Sequence, residues 1–250
     1  MPGRVTYVGH ATVLAELDGA RLLTDPVLRA RVGPLRRRGA PPAPEIAENL
    51  DAVLISHLHH DHADLPSLRQ IGREAPIIAA PGSQEFLERR GFSAVSELAP
   101  GESSQVGAVT VTAVEARHSS ESRFERESQA VGFLLDGRQQ RIYFAGDTDL
   151  FDGMAELGPG LDLALLPIWG WGPSIGPGHL DPERAARAAA LLSPRIVIPI
   201  HWGTLYPLGL ARLRPDPLRS PPREFETWMR ELAPQVEARV LAPGGATSLS

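Results

Sequence analysis

Apolar positions along the chain fall into short runs rather than long stripes. Val5–Val8 and Thr12–Leu17 flank a break at Gly9-His10, and Asp18-Gly19 is a hairpin signal before Arg21–Thr24, so three short strands are predicted there. Ala52–Ser56 is a continuous apolar run of buried-strand type that stops at a histidine cluster. Further strands are predicted at Ile77–Ala80, Val106–Ala116, Ala130–Asp136, Arg141–Ala145, Leu161–Pro167, Arg195–Ile200 and Ala238–Leu241. Helices are predicted at Leu65–Ile71, Ser83–Arg90 and Glu224–Leu232. The clearest helix follows Asp181, a good N-cap, with Pro182 at the first helical position and an ERAARAAALL body ending at Ser193-Pro194. Strand clusters with interspersed helices, without a short repeat or an obvious linker, predict a single α/β (α+β) domain over residues 1–250.

Composition narrows the chemistry. With 42% hydrophobic and 22% charged residues, a mainly disordered chain is excluded. The chain has no cysteine, which removes disulfides, zinc–thiolate sites, iron–sulfur clusters and thiol nucleophiles. All 25 basic residues are arginine, so lysine Schiff-base chemistry and a phosphate-loop lysine are excluded as well. A net charge of −5, with no interleaving of basic and aromatic residues, argues against a nucleic-acid partner. The N-terminus lacks the apolar core of a signal peptide, and the longest apolar stretch, Leu161–Trp169, is broken by Asp162 and Pro167. No transmembrane segment and a cytoplasmic location are therefore expected.

The informative stretch is His57-Leu58-His59-His60-Asp61-His62. A chance His-x-His-x-Asp-His match at this composition has an expectation of roughly 0.0004. A strand ending at Ser56 delivers His57 and His59, two positions apart, to the same side as the chain leaves the sheet. A tight turn then brings Asp61 and His62 close by, while His60 is expected to point away. Imidazoles and a carboxylate suit Zn²⁺, with Mn²⁺ or Fe²⁺ also compatible. Further candidates stand at the ends of other predicted strands: His118, Asp147 and His201. Assigning His57, His59 and His118 to one ion, and Asp61, His62 and His201 to another, leaves Asp147 to bridge a two-metal site with room for a hydroxide.

These motifs resemble the ordered metal motifs of the metallo-β-lactamase superfamily. Val8-Gly9-His10-Ala11-Thr12, Leu22-Leu23-Thr24-Asp25-Pro26, Gly178-His179-Leu180-Asp181-Pro182-Glu183 and Ile200-His201-Trp202-Gly203-Thr204 are similar to one branch of it. That branch contains N-acyl-phosphatidylethanolamine-hydrolysing phospholipase D and the ascorbate-6-phosphate lactonases. The resemblance implies a four-layer αββα sandwich with the metals at one edge between two sheets. It implies a binuclear metal-dependent hydrolase, in which a metal-bridged hydroxide attacks a phosphodiester of phospholipid-like type. A lactonase or amide hydrolase acting on a small carbonyl compound is the alternative within the same chemistry. Outside it stand a catalytically inactive metal-binding regulatory protein and a single-iron dioxygenase. The missing cysteine ligand departs from the best-known zinc β-lactamases, and His59 stands where flavodiiron relatives carry a glutamate. Between Asp147 and His201 there is no room for the large domain inserted in nucleic-acid-processing relatives.

The catalytic roles expected are Asp147 as bridge and orienter of the nucleophile, Asp61 as charge supplier and proton shuttle, and His179 as substrate contact or leaving-group acid. Asp25 reads either as a turn-initiating residue before Pro26 or as the acceptor that fixes a ligand imidazole. His10 reads either as a hydrogen-bonded turn histidine or as support for the site. Trp169, Trp171 and Trp202 are candidate pocket walls, with ordinary core packing as the alternative. The run Arg29–Arg38, Arg36 and Arg37 above all, is the candidate contact for a substrate phosphate or an anionic membrane surface, against a plain solvated loop. The substrate expected is a small molecule or lipid-like compound; the sequence leaves the oligomeric state open.

Overall fold

The computed structural model describes residues 3–118 and 128–249. Two seven-stranded sheets carry the architecture. The first runs in the order Ala246–Ser248, Arg4–Gly9, Thr12–Leu17, Ala20–Thr24, Ala52–Ile55, Ile77–Ala79, Val95–Glu97. Its first four strands are antiparallel and its remainder parallel. The second runs Glu237–Ala238, Ile196–Ile200, Leu163–Pro167, Arg141–Phe144, Val131–Asp136, Val109–Glu115, Ser103–Val106, with the parallel strands at its other end.

Burial explains the layering. The parallel strands Ala52–Ile55, Leu163–Pro167 and Ile196–Ile200 are buried at every position, because both of their faces are covered. One face of each sheet meets the other: Tyr7, Val13, Leu22 and Leu54 pack in one core with Val111, Phe133, Phe144, Leu165 and Ile198. The outer face of the first sheet, Val53, Ile55, Ile77 and Ala79, is covered by Leu68 of helix Leu65–Ile71 and Leu87 of helix Gln84–Glu88. The outer face of the second, Tyr143, Ala164, Leu166 and Val197, is covered by Ala185 and Ala189 of helix Pro182–Leu192 and by Phe225 and Met229 of helix Ser220–Leu232. Helix, sheet, sheet, helix is the αββα order that the resemblance implies.

Several expected boundaries shift for local reasons. The single strand expected over Val106–Ala116 is a hairpin, Ser103–Val106 and Val109–Glu115, turned at Gly107 with φ 59°. The helix expected from Glu224 starts at Ser220, since Pro221 and Pro222 sit in its first turn, where no amide hydrogen is needed. The last expected strand shrinks to Glu237–Ala238, while Ala246–Ser248 returns to pair with Arg4–Thr6. The arginine-rich loop contains two unexpected strands, Arg31–Val32 and Leu35–Arg37, which join Leu205–Pro207 in a small third sheet. Val27, Val32, Leu35 and Leu205 form its own apolar cluster. Among the described residues, no helix is long and apolar enough to cross a membrane.

Candidate metal centre

Each group at the site leaves the end of a strand. His57 follows Ala52–Ile55, His118 follows Val109–Glu115, Asp147 follows Arg141–Phe144, and His201 follows Ile196–Ile200. Strand ends from both sheets therefore converge on one edge of the sandwich. Three non-glycine residues there, His10, Asp25 and His201, hold φ at 59°, 35° and 61°, in the sparsely populated left-handed region. Surrounding bonds hold those turns: the His201 amide donates to the His10 carbonyl at 2.8 Å and the Asp25 amide to the Leu54 carbonyl at 2.9 Å. Gly146, with φ 61°, lets the Asp147 loop pass the neighbouring strand; a Cβ there would lie 2.8 Å from the Ser56 Cβ.

All seven predicted ligands come together. His57, His59 and His118 form one cluster, and Asp61, His62, His201 and His10 form another. Asp147 lies between them, with Oδ2 3.2 Å from His62 Nε2 and Oδ1 3.3 Å from His201 Nε2. It also approaches His179 Nε2 at 3.4 Å. His60 is exposed, as expected.

Hydrogen bonding decides which ring nitrogen faces inward. His201 Nδ1 donates to the Trp169 carbonyl at 2.9 Å, and His118 Nδ1 donates to the Gly178 carbonyl at 3.0 Å, because a carbonyl can only accept. His62 Nδ1 donates to Asp25 Oδ2 at 2.7 Å. Ser56 Oγ donates to that same carboxylate oxygen at 2.6 Å, so it accepts the His57 Nδ1 hydrogen at 3.0 Å. The inner Nε2 atoms are left as lone pairs. His62 Nε2 and His201 Nε2 stand 3.0 Å apart, a contact tolerable only with a cation, proton or metal, between them. His57 Nε2 and Asp147 Oδ1 are buried without a hydrogen-bond partner. This donor set of inward imidazoles and carboxylates, including orphaned buried atoms, fits divalent cations of the zinc type.

Protonation follows the same logic. Burial keeps His57 well below the ordinary imidazole value, and it also lowers His118. Burial would lower His62 too, but Asp147, Asp61 and Asp25 outweigh it and lift the ring well above the ordinary value. Burial alone would raise Asp147 and Asp61; the imidazoles around them hold both carboxyls well below the usual range. Burial and the nearby His201 ring push His10 down to about 3, although Asp61 accepts from it at 2.8 Å. His10 is thus a neutral donor to Asp61, and its ring lies against that of His201 with centroids 3.8 Å apart. Burial acts to lower His179, yet the Asp147 carboxylate overrides it and raises the imidazole to about 9.

The predicted substrate contacts need correction. Arg37 is buried and donates to the carbonyls of Val8, Val27 and Arg29, so its guanidinium fastens the small sheet instead of meeting substrate. Arg36, its neighbour on the opposite strand face, lines a separate cavity with Arg38, Tyr206 and Arg212. Trp202 packs against the outer helical layer, with Nε1 donating to the Pro199 carbonyl. Trp169 is half-buried and contributes its carbonyl to His201, while Trp171 is 39% exposed. Residues that sequence reasoning missed are Ser56, which links Asp25 to His57, and Thr204, whose Oγ1 accepts from the His10 amide at 2.9 Å. Thr204 stands within a quoted motif; Ser56 carries no sequence signal beyond its place before His57.

Comparison with known proteins agrees with this geometry. The profile described as the β-lactamase superfamily domain matches residues 20–202. The chain is 33% identical over 239 residues to N-acyl-phosphatidylethanolamine-hydrolyzing phospholipase D 1 of Caenorhabditis elegans, covering 85% of this chain and 67% of that one. It is 35% identical over 255 residues to a metal-dependent hydrolase of Rubrobacter xylanophilus, covering 96% and 94%. The chain spans 61% of the length of a Mycobacterium tuberculosis relative. Igni18, a metallo hydrolase from Ignicoccus hospitalis, superposes with a TM-score of 0.74 at 26% identity over 99% of this chain and 98% of that one.

Proposed function

The chain belongs to the metallo-β-lactamase superfamily as a metal-dependent hydrolase, and from that premise we propose that it is a binuclear enzyme cleaving a phosphodiester of phospholipid-like type. His57, His59 and His118 would hold one divalent ion and Asp61, His62 and His201 the other, with Asp147 between them. Zinc suits this set best. When bound, the ions supply Lewis-acid polarisation of the substrate and an acidified water.

The chain's own groups supply orientation and protons. Asp25 fixes the tautomer of His62 directly and that of His57 through Ser56, so both rings present Nε2 without a reorganisation step. His10 steadies Asp61 through its N–H and His201 through ring contact. His179 sits just before helix Pro182–Leu192 and beside Asp147, with its basicity raised. A protonated imidazole in that place is suited to donate to a departing alkoxide.

The observation that carries this reading is the 3.0 Å approach of His62 Nε2 to His201 Nε2, both outer nitrogens being spent as donors. The phosphodiester is favoured because a relative covering 85% of this chain is named for phospholipid cleavage. A panel of phosphodiesters, lactones and amides offered to zinc-loaded protein tests it. Diester hydrolysis is expected, and turnover of lactones or amides alone would replace the phosphodiester reading with the carbonyl one.

A further inference from the structure

Beside the metal centre lies a cavity of about 530 Å³, lined by Trp171 and by Arg29 and its neighbours in the arginine-rich run. That volume lies within the roughly 300–1,000 Å³ range of small-molecule sites. Asp61, one of the candidate ligands, forms part of its wall, so the cavity adjoins the candidate metal centre. His60 stands beside Asp61, and three further segments build the rest. The small sheet gives Val32 and Leu35, the start of helix Leu65–Ile71 gives Leu65 and Pro66, and the chain beyond strand Leu163–Pro167 gives Trp171.

The lining is mostly apolar; its charged groups are Arg29, Arg69, Asp61 and Asp64, and the Asp61 carboxylate is turned to His10. Asp64 accepts a two-pronged bond from Arg29, at 2.8 and 2.7 Å, while also capping the helix through the Ser67 amide. Those two charges therefore answer each other. Arg69, on the same helix, is exposed at the cavity and adds a cation to it. Trp171, at 39% exposure, leaves a large indole face in water until something covers it.

The wall is also held rigidly. Arg37 ties the hairpin that carries Val32 and Leu35 to the carbonyls of Val8, Val27 and Arg29. A wall fixed in this way loses little freedom when a ligand enters.

We infer that this cavity is the subsite for a compact apolar group of the substrate, aromatic or short alkyl, in an anionic compound whose negative charge is favoured by Arg69. The inference rests on the hydrolase reading of the adjoining centre. It assigns that centre a preference for anionic amphiphiles over small polar esters.

Calorimetric titration of zinc-loaded protein with methyl phosphate and hexyl phosphate tests the subsite without requiring turnover. Hexyl phosphate is expected to bind at least tenfold more tightly, because its alkyl group leaves water. Trp171→Ala and Leu65→Ser should each reduce the hexyl-to-methyl ratio severalfold, and Arg69→Ala should weaken hexyl phosphate more than hexanol. Equal affinity for the two phosphates, or a ratio indifferent to both apolar substitutions, overturns the subsite. Parallel assays with methyl and hexyl p-nitrophenyl phosphate separate the two readings. Selective binding with no hydrolysis of either diester would sink the phosphodiesterase reading and leave the subsite standing. Hydrolysis with no chain-length preference in binding would do the reverse.

Discussion

Asp25 Oδ2 lies 2.7 Å from His62 Nδ1 and accepts from it, within a side chain that is fully buried. The same carboxylate accepts the Ser56 amide at 2.8 Å and the Ser56 hydroxyl at 2.6 Å, so one residue orients two imidazoles. Asn tolerates the left-handed backbone that Asp25 adopts but cannot accept all of these bonds. Asp25→Asn is expected to weaken zinc affinity about 10–100-fold while leaving the circular dichroism spectrum unchanged. Unaltered affinity in a competition titration with a chelator would remove the orienting role.

Metal content follows from the inward lone pairs. Purified protein is expected to carry close to two divalent ions per chain by elemental analysis, and His57→Ala with His59→Ala should remove one of them. Stripping the ions should lower the melting temperature, since a cation that binds only the folded chain stabilises it by mass action. An unchanged metal count in the double variant would dismantle the ligand assignment.

Asp147→Asn addresses the position between the clusters. It removes the charge facing His62 and His201, at 3.2 and 3.3 Å. Loss of hydrolysis with retained fold is expected, together with a lower metal count. Full activity would show that Asp147 does not bridge.

His179→Gln separates proton donation from simple packing. With a poorly departing alcohol, kcat is expected to fall roughly 10²–10⁴-fold. With p-nitrophenolate, which needs no proton to leave, the loss should be much smaller. An equal loss for both leaving groups would indicate that His179 only positions its neighbours.

The metal-free protein should show a particular pH dependence. His179 has a folded value of about 9, above its ordinary 6.5, through its contact with Asp147. Its contribution is therefore complete below about 6.5 and disappears as pH rises through about 9, on the order of 3 kcal/mol at most. Urea midpoints of chelator-treated protein should fall between pH 6.5 and 9.5. Metal-loaded protein should fall less, because Asp147 then serves the ions. Parallel curves for the two forms would contradict this.

Much of the site was legible because its residues stand at the ends of apolar strands, a pattern that sequence displays directly. His57 through His62, His118, Asp147 and His201 all belong to that pattern. What escaped was whatever depends on tertiary partners. Nothing in the run of arginines shows that Arg37 turns inward to three carbonyls while Arg36 stays outside. Three successive arginines hide a two-residue alternation that only the pairing with Leu205–Pro207 reveals. The closing strand Ala246–Ser248 was missed for a similar reason: it is short, weakly apolar and fixed by its pairing with Arg4–Thr6. Among the tryptophans, sequence could not distinguish the one beside a cavity from the one under helices, because indoles serve both places.

The outward bonds of the ring nitrogens have a further consequence. Trp169, Gly178, Ser56 and Asp25 restrain His201, His118, His57 and His62 from the side away from the centre. The ring set is thus a mould shaped ahead of its casting. Loading an ion becomes a matter of filling and exchange instead of folding. Discrimination among cations then falls to the size and shape of a rigid opening, not to how strongly each ion attracts nitrogen.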